Sequence, residues 1–253
     1  MISSVGFIGS GNVATQLSKA FKKAGISIEF IYSPSQNNCQ LLANQVDCEC
    51  LDSLKDLPKT NAVFLCVNDD YISELSNDLK NTEALIVHTS GSVGLDELKQ
   101  NKNHGVFYPF QSISKTVEPN WKEIPLMIEG NSEKNSSSLI TLANLISNQV
   151  IEADSEVRRT LHLTGVLVNN FTNHLASLSF ELLQEKKLPK TLLYPLIEET
   201  ARKVLLGSPD KTQTGPAIRK DQKTIQAHLN LLESKKELSA IYTLLTKSIQ
   251  SSN

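Results

Sequence analysis

Long apolar runs are missing from this 253-residue sequence, and neither sign of charge is in excess. No stretch approaches the roughly 18 consecutive apolar residues that a membrane-spanning helix needs. The 25 basic and 27 acidic side chains give a formal net charge of -2, which provides no broad basic surface for nucleic acid or an anionic membrane. Met1 leads directly into the first strand, which leaves no room for a secretory signal. We therefore expect a cytoplasmic protein that binds neither nucleic acid nor a membrane.

Cysteines are also few, and all four lie within the first 66 residues, at Cys39, Cys48, Cys50 and Cys66. Only one residue separates Cys48 from Cys50, and no second ligand pair follows at a spacing that zinc could use. We therefore expect no metal site. Free thiols, either packed or exposed, suit a reducing cytoplasm, and we expect all four cysteines to be free.

A glycine turn near the start of the chain joins a short apolar strand, Val5–Ile8, to a helical pattern. In this context Gly9-x-Gly11-x-x-Ala14 indicates dinucleotide binding. Gly9 allows the tight turn, Gly11 lets the backbone approach a pyrophosphate, and Ala14 lets the helix pack closely. The helix N-terminus favours negative charge. The alternative is an ordinary strand-turn-helix in which the glycines serve only the turn. The cofactor contacts predicted here are Gly9, Ser10, Gly11, Asn12 and Val13.

The first half of the chain alternates apolar runs with helical spacing, whereas residues 131–138 form a polar stretch that we expect to be a loop. Alternation of this kind predicts a doubly wound parallel sheet of the Rossmann type, with ligands beyond the carboxyl ends of the strands. The strands that follow the glycine turn are predicted at 26–32, 62–67, 84–87, 106–108, 124–128 and 150–151.

Strand signals stop near Asp154, so we predict a Rossmann domain at 1–154 and an all-helical domain at 155–253, with a cleft between them. Apolar residues recur every seven positions from Leu161 to Leu182, which predicts one long helix buried along one side. That stripe is longer than one small helical domain can easily cover, so we expect a homodimer built mainly from the helical domain. Further helices are predicted at 188–206, 221–232 and 238–249.

The end of the second strand should contact the adenosine ribose of the cofactor. Glu29 has the spacing of an acidic ribose ligand but lies in mid-strand, and the strand end carries Ser33 and Ser35. Hydroxyl donors without a carboxylate suit a 2′-phosphate, which favours NADP, although no arginine accompanies them and NAD stays open. A surface turn built around Pro34 is the structural alternative.

Polar residues follow two later strands at the same sheet edge, where the nicotinamide should lie. His88, Thr89 and Ser90 could bind a carboxylate or polarise a carbonyl, but residues of this kind also cap helices. Val67 and Asn68 end the preceding strand and allow the same two interpretations. We assign Val67, Asn68, His88 and Thr89 to the cofactor and Ser90 to catalysis. Tyr108 to Gln111 ends the next strand at that edge.

In the long helix, His162, Asn169 and Asn173 fall within about 40 degrees of one another at 100 degrees per residue. Such a line forms either a polar wall facing the cleft or an amide contact with another helix. Asn170 and His174 lie about a quarter-turn away and should face solvent or a subunit contact. A later loop carries Gln213 and Thr214, together with Arg219, which could clamp a substrate carboxylate or form a surface salt bridge.

Taken together, five motifs resemble those of the predicted short-subunit dehydrogenase-like oxidoreductases. These are distant relatives of pyrroline-5-carboxylate reductase, ketopantoate reductase and the deazaflavin-dependent NADP reductases. The resemblance covers nearly the whole chain, and it implies a Rossmann domain, a helical C-terminal domain and dimerisation through the latter, but no particular substrate. The motifs are Gly9–Ala14, His88–Ser92, Tyr108–Gln111, Asn169–His174 and Gln213–Ala217.

One departure from the wider superfamily concerns a catalytic lysine, which its hydroxyacid dehydrogenases carry four residues before an asparagine on the long helix. Here Gly165 and Val166 hold the corresponding positions. Proline-synthesising reductases also lack that lysine, and an imine needs less help from a protein acid. His162 is the candidate proton donor, because an imidazole can titrate near neutral pH.

The sequence therefore predicts an NADP-dependent oxidoreductase that transfers a hydride to or from a small carbonyl or imine. Two alternatives stay open. One is a dinucleotide-binding sensor or scaffold without turnover, and the other is a deazaflavin-dependent NADP reductase. The predicted catalytic residues are His162, Asn169, Asn173 and Ser90, and the predicted substrate loop contributes Gln213, Thr214 and Arg219.

Overall fold

The computed structural model describes residues 1–55 and 57–251. Contacts divide the chain into two compact units, Met1–Asn170 and Phe171–Asn253. The first unit thus includes the helix that begins at Ser155, beyond the boundary near Asp154 that the sequence favours. None of the described helices is both long enough and apolar enough to cross a bilayer.

The first unit is built on an eight-stranded sheet with strand order β3-β2-β1-β4-β5-β6-β7-β8. This arrangement confirms the predicted Rossmann architecture. All neighbouring strands are parallel except β6 and β7, which run antiparallel, so the expectation of a wholly parallel sheet is wrong at that pair. The short strand β3 was not predicted. The strands are β1 Ser4–Ile8, β2 Ser27–Tyr32, β3 Glu49–Leu51, β4 Ala62–Leu65, β5 Leu85–His88, β6 His104–Pro109, β7 Leu126–Gly130 and β8 Val150–Glu152.

Alternate residues of the strands pack into separate cores on the two faces of the sheet. On one face, Phe7 and Phe64 stack at 5.4 Å between ring centroids, and Phe21 and Phe107 each meet Phe64 edge-on. Each fully buried aromatic of this kind contributes roughly 1.5–3 kcal/mol. Ile8, next to Phe7 along the strand, belongs to the core of the opposite face. Successive side chains of the strand therefore point to opposite faces of the sheet, and both faces carry a buried core.

Four α-helices cover this sheet before the long helix begins, and short 3-10 turns at Asp69–Tyr71, Leu95–Leu98 and Trp121–Glu123 complete the connections. The polar stretch at 131–138 is not a loop throughout, because the helix begins at Glu133. Ser132 caps this helix by accepting a 3.3 Å hydrogen bond from the Asn135 amide, and Leu139 and Leu142 bury its inner face. The helices are α1 Asn12–Lys23, α2 Gln36–Val46, α3 Ile72–Asp78 and α4 Glu133–Ile146.

The predicted long helix is present, although it is not uniformly α-helical. The expectation that its apolar stripe is buried is wrong within this chain, because Val168 is 71% exposed and Leu175 36% exposed. It consists of α5 Ser155–Gly165, a π-helical segment Val166–Phe171 and α6 Thr172–Glu185. A 3-10 turn, Lys190–Leu193, precedes the remaining helices. These are α7 Tyr194–Leu206, α8 Pro209–Thr212, α9 Gln222–Leu231 and α10 Lys236–Ser251.

Two of the four cysteines form a disulfide, so the expectation that all four are free is wrong for Cys39 and Cys50. Cys39 lies in α2 and Cys50 in β3, and the packing of this helix beside this strand brings their Cα atoms to 5.7 Å. Cys48 and Cys66 are free thiols, as expected.

Candidate active site

The glycine turn has the backbone geometry that a close approach requires. Gly9 has a φ of 115°, and a Cβ atom there would lie 2.1 Å from the carbonyl oxygen of Cys66. Gly11 is exposed, and a Cβ atom added to it would have no neighbour within 4 Å. Helix α1 begins at Asn12 without a side-chain cap. Open space in front of uncapped helical amides fits a pyrophosphate.

The serines predicted to contact the ribose both have partners. Ser33 is buried, and its hydroxyl accepts a 2.8 Å hydrogen bond from the hydroxyl of Ser10. Ser35 is exposed and caps α2, accepting from the Asn38 amide at 3.5 Å. Both residues follow the carboxyl end of β2, as predicted.

The polar residues after β5 differ in what they can contact. His88 is fully buried, and burial first and the nearby Arg158 second lower its pKa from 6.5 to about 3. His88 is therefore neutral at physiological pH, and its Nδ1 accepts from the Ser90 amide at 3.2 Å. The Ser90 hydroxyl accepts from the amides of Ser92 and Val93 at 3.1 Å, so it closes a turn and does not cap the helix that follows Gly94.

At the end of β4, Val67 is half-buried and Asn68 is exposed. Asn68 precedes the 3-10 turn Asp69–Tyr71 without a side-chain cap bond. Both residues lie at the carboxyl edge of the sheet, as their assignment to the cofactor requires.

A fully buried arginine fixes the start of α5 beside this edge. The guanidinium of Arg158 pairs with the carboxylate of Glu129 on β7 and donates to the carbonyl of Val93. The Ser155 hydroxyl joins both groups, lying 2.9 Å from a Glu129 oxygen and 3.2 Å from Arg158 Nη2. The cluster ties β7, the loop after β5 and the first turn of α5 together, one helical turn before His162.

His162 forms a hydrogen-bonded pair with a tyrosine from the sheet. The hydroxyl of Tyr108, near the end of β6, lies 3.1 Å from His162 Nδ1. Burial raises the pKa of Tyr108, with Arg158 acting in the opposite sense, so the phenol stays protonated at neutral pH. Gly91 lies against this pair, because a Cβ atom there would be 2.6 Å from the Tyr108 ring and 2.7 Å from His162 Nδ1.

The Tyr108–His162 pair lines a pocket of about 360 Å³ within the first unit. Four predicted site residues meet in it, namely Val13, Thr89, His162 and Asn169. The remaining lining residues are Tyr108, Pro109, Phe110, Gln111, Ser112, Gly165, Val166, Val168 and Asn170.

Asn170 also lines the pocket and is exposed, as expected of a residue that faces solvent. Residues 166–171 form a π-helical segment, whose turn is wider than the 100 degrees per residue of an α-helix implies. That segment turns both Asn169 and Asn170 toward the pocket. Asn173 lies beyond it, exposed and in the second unit.

Tyr108, Phe110 and Gln111 lie at the sheet edge predicted for them, although no role was predicted for these residues. Phe110 packs closely on the long helix, since a Cβ atom at Gly165 would lie 2.8 Å from its ring. The available signal was a run of aromatic and amide residues directly after a buried strand.

The predicted substrate loop belongs to the second unit. Gln213 and Thr214 are exposed, and the Gln213 amide donates to the Thr214 carbonyl at 3.1 Å. Arg219 is exposed as well. Hydrogen bonds from Thr224 are the main cause that lowers the pKa of Asp221, and the charge of nearby Arg219 lowers it further.

Two protein families match successive parts of the chain. Residues 4–91 match a family described as NADP oxidoreductase coenzyme F420-dependent, and residues 124–249 match a domain of unknown function, DUF2520. A comparison with curated proteins gave no match.

Among solved structures, a "putative NADP oxidoreductase", BF3122 from Bacteroides fragilis, is 38% identical with a TM-score of 0.93. The alignment covers 99% of this chain and 98% of that one. Protein TM1727 from Thermotoga maritima is 23% identical with a TM-score of 0.82, covering 98% of each chain. A pyrroline-5-carboxylate reductase from Coxiella burnetii is 15% identical with a TM-score of 0.59, covering 98% of this chain and 99% of that one. The last two likenesses show the fold alone.

The fold and the matches together place the chain in a family of Rossmann-type NADP oxidoreductases. The chain belongs to the family of the Bacteroides fragilis protein. The expected kinship with pyrroline-5-carboxylate reductase is confirmed for the fold, and NADP is confirmed as the cofactor of the family. The label of short-subunit dehydrogenase has no support among these matches.

Proposed function

We propose that this protein uses NADPH to reduce a small carbonyl or imine, with His162 as the proton donor. The observation that carries the proposal is the 3.1 Å contact between Tyr108 and His162 in a pocket that also contains Val13, from the glycine motif, and Thr89. A proton donor thus lies in the same pocket as a residue of the first turn of α1.

The pair allows two hydrogen-bond directions, since either the Tyr108 hydroxyl donates to His162 Nδ1 or Nδ1–H donates to the phenol oxygen. In the second case, an imidazole protonated on both nitrogens can pass its Nε2 proton to a carbonyl oxygen or an imine nitrogen as negative charge develops there, and the ring is left neutral. Asn169 and Asn170 add amide groups that can orient the substrate.

The dinucleotide would be held by Gly9, Gly11 and the first amides of α1, because this turn leaves room for a phosphate where a side chain would stand. When bound, the cofactor supplies the hydride, and the protein supplies orientation and electrostatics. Gly11→Leu tests this assignment. We expect loss of NADPH binding by calorimetry with an unchanged melting temperature, since a Cβ atom at this position has no neighbour within 4 Å. If wild-type protein bound neither NADPH nor NADH, the proposal would fail.

Turnover is tested by NADPH oxidation against a panel of small imines and carbonyls. His162→Ala should lower kcat by about 10²- to 10⁴-fold, the range of general acid catalysis, with an unchanged Kd for NADPH. Tyr108→Phe should weaken turnover less, because the imidazole remains. His174→Ala, an exposed histidine of α6, is the matched control and should behave as wild type. A His162→Ala protein that is less stable but equally active per folded molecule would contradict the catalytic role.

A second candidate is the reduction of NADP by a deazaflavin coenzyme, which the family match of residues 4–91 favours. The same wild-type protein should then oxidise a reduced deazaflavin with NADP and ignore the imine and carbonyl panel. Binding of NADPH without either activity would support the third possibility, a dinucleotide-binding sensor or scaffold.

We further propose that the second unit serves dimerisation and substrate binding in a cytoplasmic protein. Leu205 is 84% exposed and Leu231 76% exposed, and Leu196 and Leu206 are similarly uncovered. Apolar side chains exposed in such number indicate an interaction surface. Gln213, Thr214 and Arg219 are proposed to contact the substrate, with Arg219 suited to a carboxylate.

A further inference from the structure

A second cavity, of about 250 Å³, lies between α1 and α2 at the carboxyl edge of the sheet. Its inner end carries Ser10, from the glycine turn, whose hydroxyl donates to that of Ser33 after β2. Asn38, in the first turn of α2, also lines it. The cavity therefore adjoins the turn that is proposed to hold the pyrophosphate. Its lining consists of Ser10, Thr15, Lys19, Asn38, Leu41, Leu42, Gln45 and Lys115.

All the charge in this lining is positive. Lys19 comes from α1 and Lys115 from the loop after β6, and the other polar side chains are neutral. In the part of the chain that the structure describes, neither lysine forms an ion pair with a carboxylate. Glu118 is attracted by Lys19 at longer range, but its ion-pair partner is Lys23. Two lysine ammonium groups thus border a small cavity, and among the described residues no carboxylate lies within ion-pair distance of either.

The position of Lys115 is fixed by a buried glutamine on α1. The side-chain Nε2 of Gln16 lies 2.8 Å from the carbonyl oxygen of Ser114, 3.2 Å from that of Lys115 and 3.1 Å from that of Val117. Gln16 is only 3% exposed. The loop is therefore held by its backbone against α1, and Lys115 is held at the cavity.

We propose that this cavity binds the 2′-phosphate of NADP, with Lys19 and Lys115 supplying the charge and Ser10 and Asn38 the neutral hydrogen bonds. This inference rests on the proposed function. Ser33 and Ser35 alone cannot supply a positive charge, and Ser35 is committed to capping α2. Lysine is an effective point-charge ligand for phosphate, and no arginine lines this cavity. These lysines are thus specificity-determining residues for NADPH over NADH.

The test compares the Kd of NADPH and of NADH, measured by calorimetry on the full-length protein. Variants Lys19→Gln and Lys115→Gln should each weaken NADPH binding by roughly 10- to 100-fold, the range for a hydrogen bond to a charged group. The Kd for NADH should change less than about twofold. Lys22→Gln removes the same charge from the same helix outside the cavity, and its NADPH affinity should match wild type. Circular dichroism melts establish that each variant is folded.

The outcomes separate this inference from the proposed function. If wild type binds NADPH and the two lysine variants bind it equally well, the cavity assignment is overturned while the proposed function stands. Equal weakening of NADPH and NADH also overturns the assignment, because it indicates a general role in folding or binding. If wild type binds neither dinucleotide, the proposed function fails and the assignment fails with it. Selective loss of NADPH affinity in both variants supports the cavity as the phosphate site.

Discussion

Removing the acidic partner of the buried Arg158 should be among the most destabilising single changes in the first unit. Arg158 has no exposed surface, and Glu129 is 15% exposed. Glu129→Ala leaves a buried guanidinium without a counter-ion, which typically costs about 3–5 kcal/mol. Arg158 keeps its bonds to the Val93 carbonyl and the Ser155 hydroxyl. We therefore expect the lower end of that range, about 3 kcal/mol.

Urea denaturation followed by circular dichroism measures this loss. Glu83→Ala is the control, because Glu83 is 88% exposed and its ion pair with Lys102 spans 4.0 Å, so the unfolding midpoint should not move measurably. The double variant Glu129→Leu with Arg158→Met removes both charges and should recover much of the lost stability. A loss below about 1 kcal/mol for Glu129→Ala, or a double variant no more stable than the single one, would refute the reasoning.

Three further predictions follow from the site and the exposed surface. Gly91→Ala should displace the Tyr108–His162 pair, because its Cβ atom would lie within 2.8 Å of both side chains. The variant should therefore have a lower kcat and an unchanged Kd for NADPH, and an unchanged kcat would count against a role of the pair. The free energy of unfolding should fall as pH drops from about 6.5 toward 3, because burial lowers the pKa of His88 to about 3 and the unfolded chain binds the extra proton first. His88→Phe should flatten this slope, and an unchanged slope in urea titrations across that range would exclude His88 as its source. Light scattering at micromolar concentration should give twice the chain mass, and a value of 27.9 kDa would refute the dimer.

The glycine motif and the sheet edge could be predicted because their signals are local. Gly9, Gly11 and Ala14 lie within six residues of one another. The carboxyl ends of parallel strands meet at one edge of the sheet, so the residues that follow these strands lie together there. Thr89 follows such a strand, and it meets Val13 from the first turn of α1 and His162 and Asn169 from the long helix in one pocket.

The Tyr108–His162 pair could not be predicted, because it joins residues 54 positions apart and no periodicity encodes such a contact. The same holds for Arg158, which looks like any surface arginine until Glu129, 29 residues earlier, is brought beside it. The π-helical segment could not be predicted, because the spacing of apolar residues does not indicate which carbonyl each helical amide bonds to.

Gln16 holds the loop after β6 through main-chain carbonyls, and this has a consequence for how the protein can change over evolutionary time. Every amino acid offers the same carbonyl, so mutations at Ser114, Lys115 or Val117 leave the anchor intact. The contacts of Gln16 on α1 therefore fix the path of the loop, while the side chains of the loop can be substituted. Single substitutions of Lys115 could therefore alter the preference for NADPH over NADH and leave the fold unaffected.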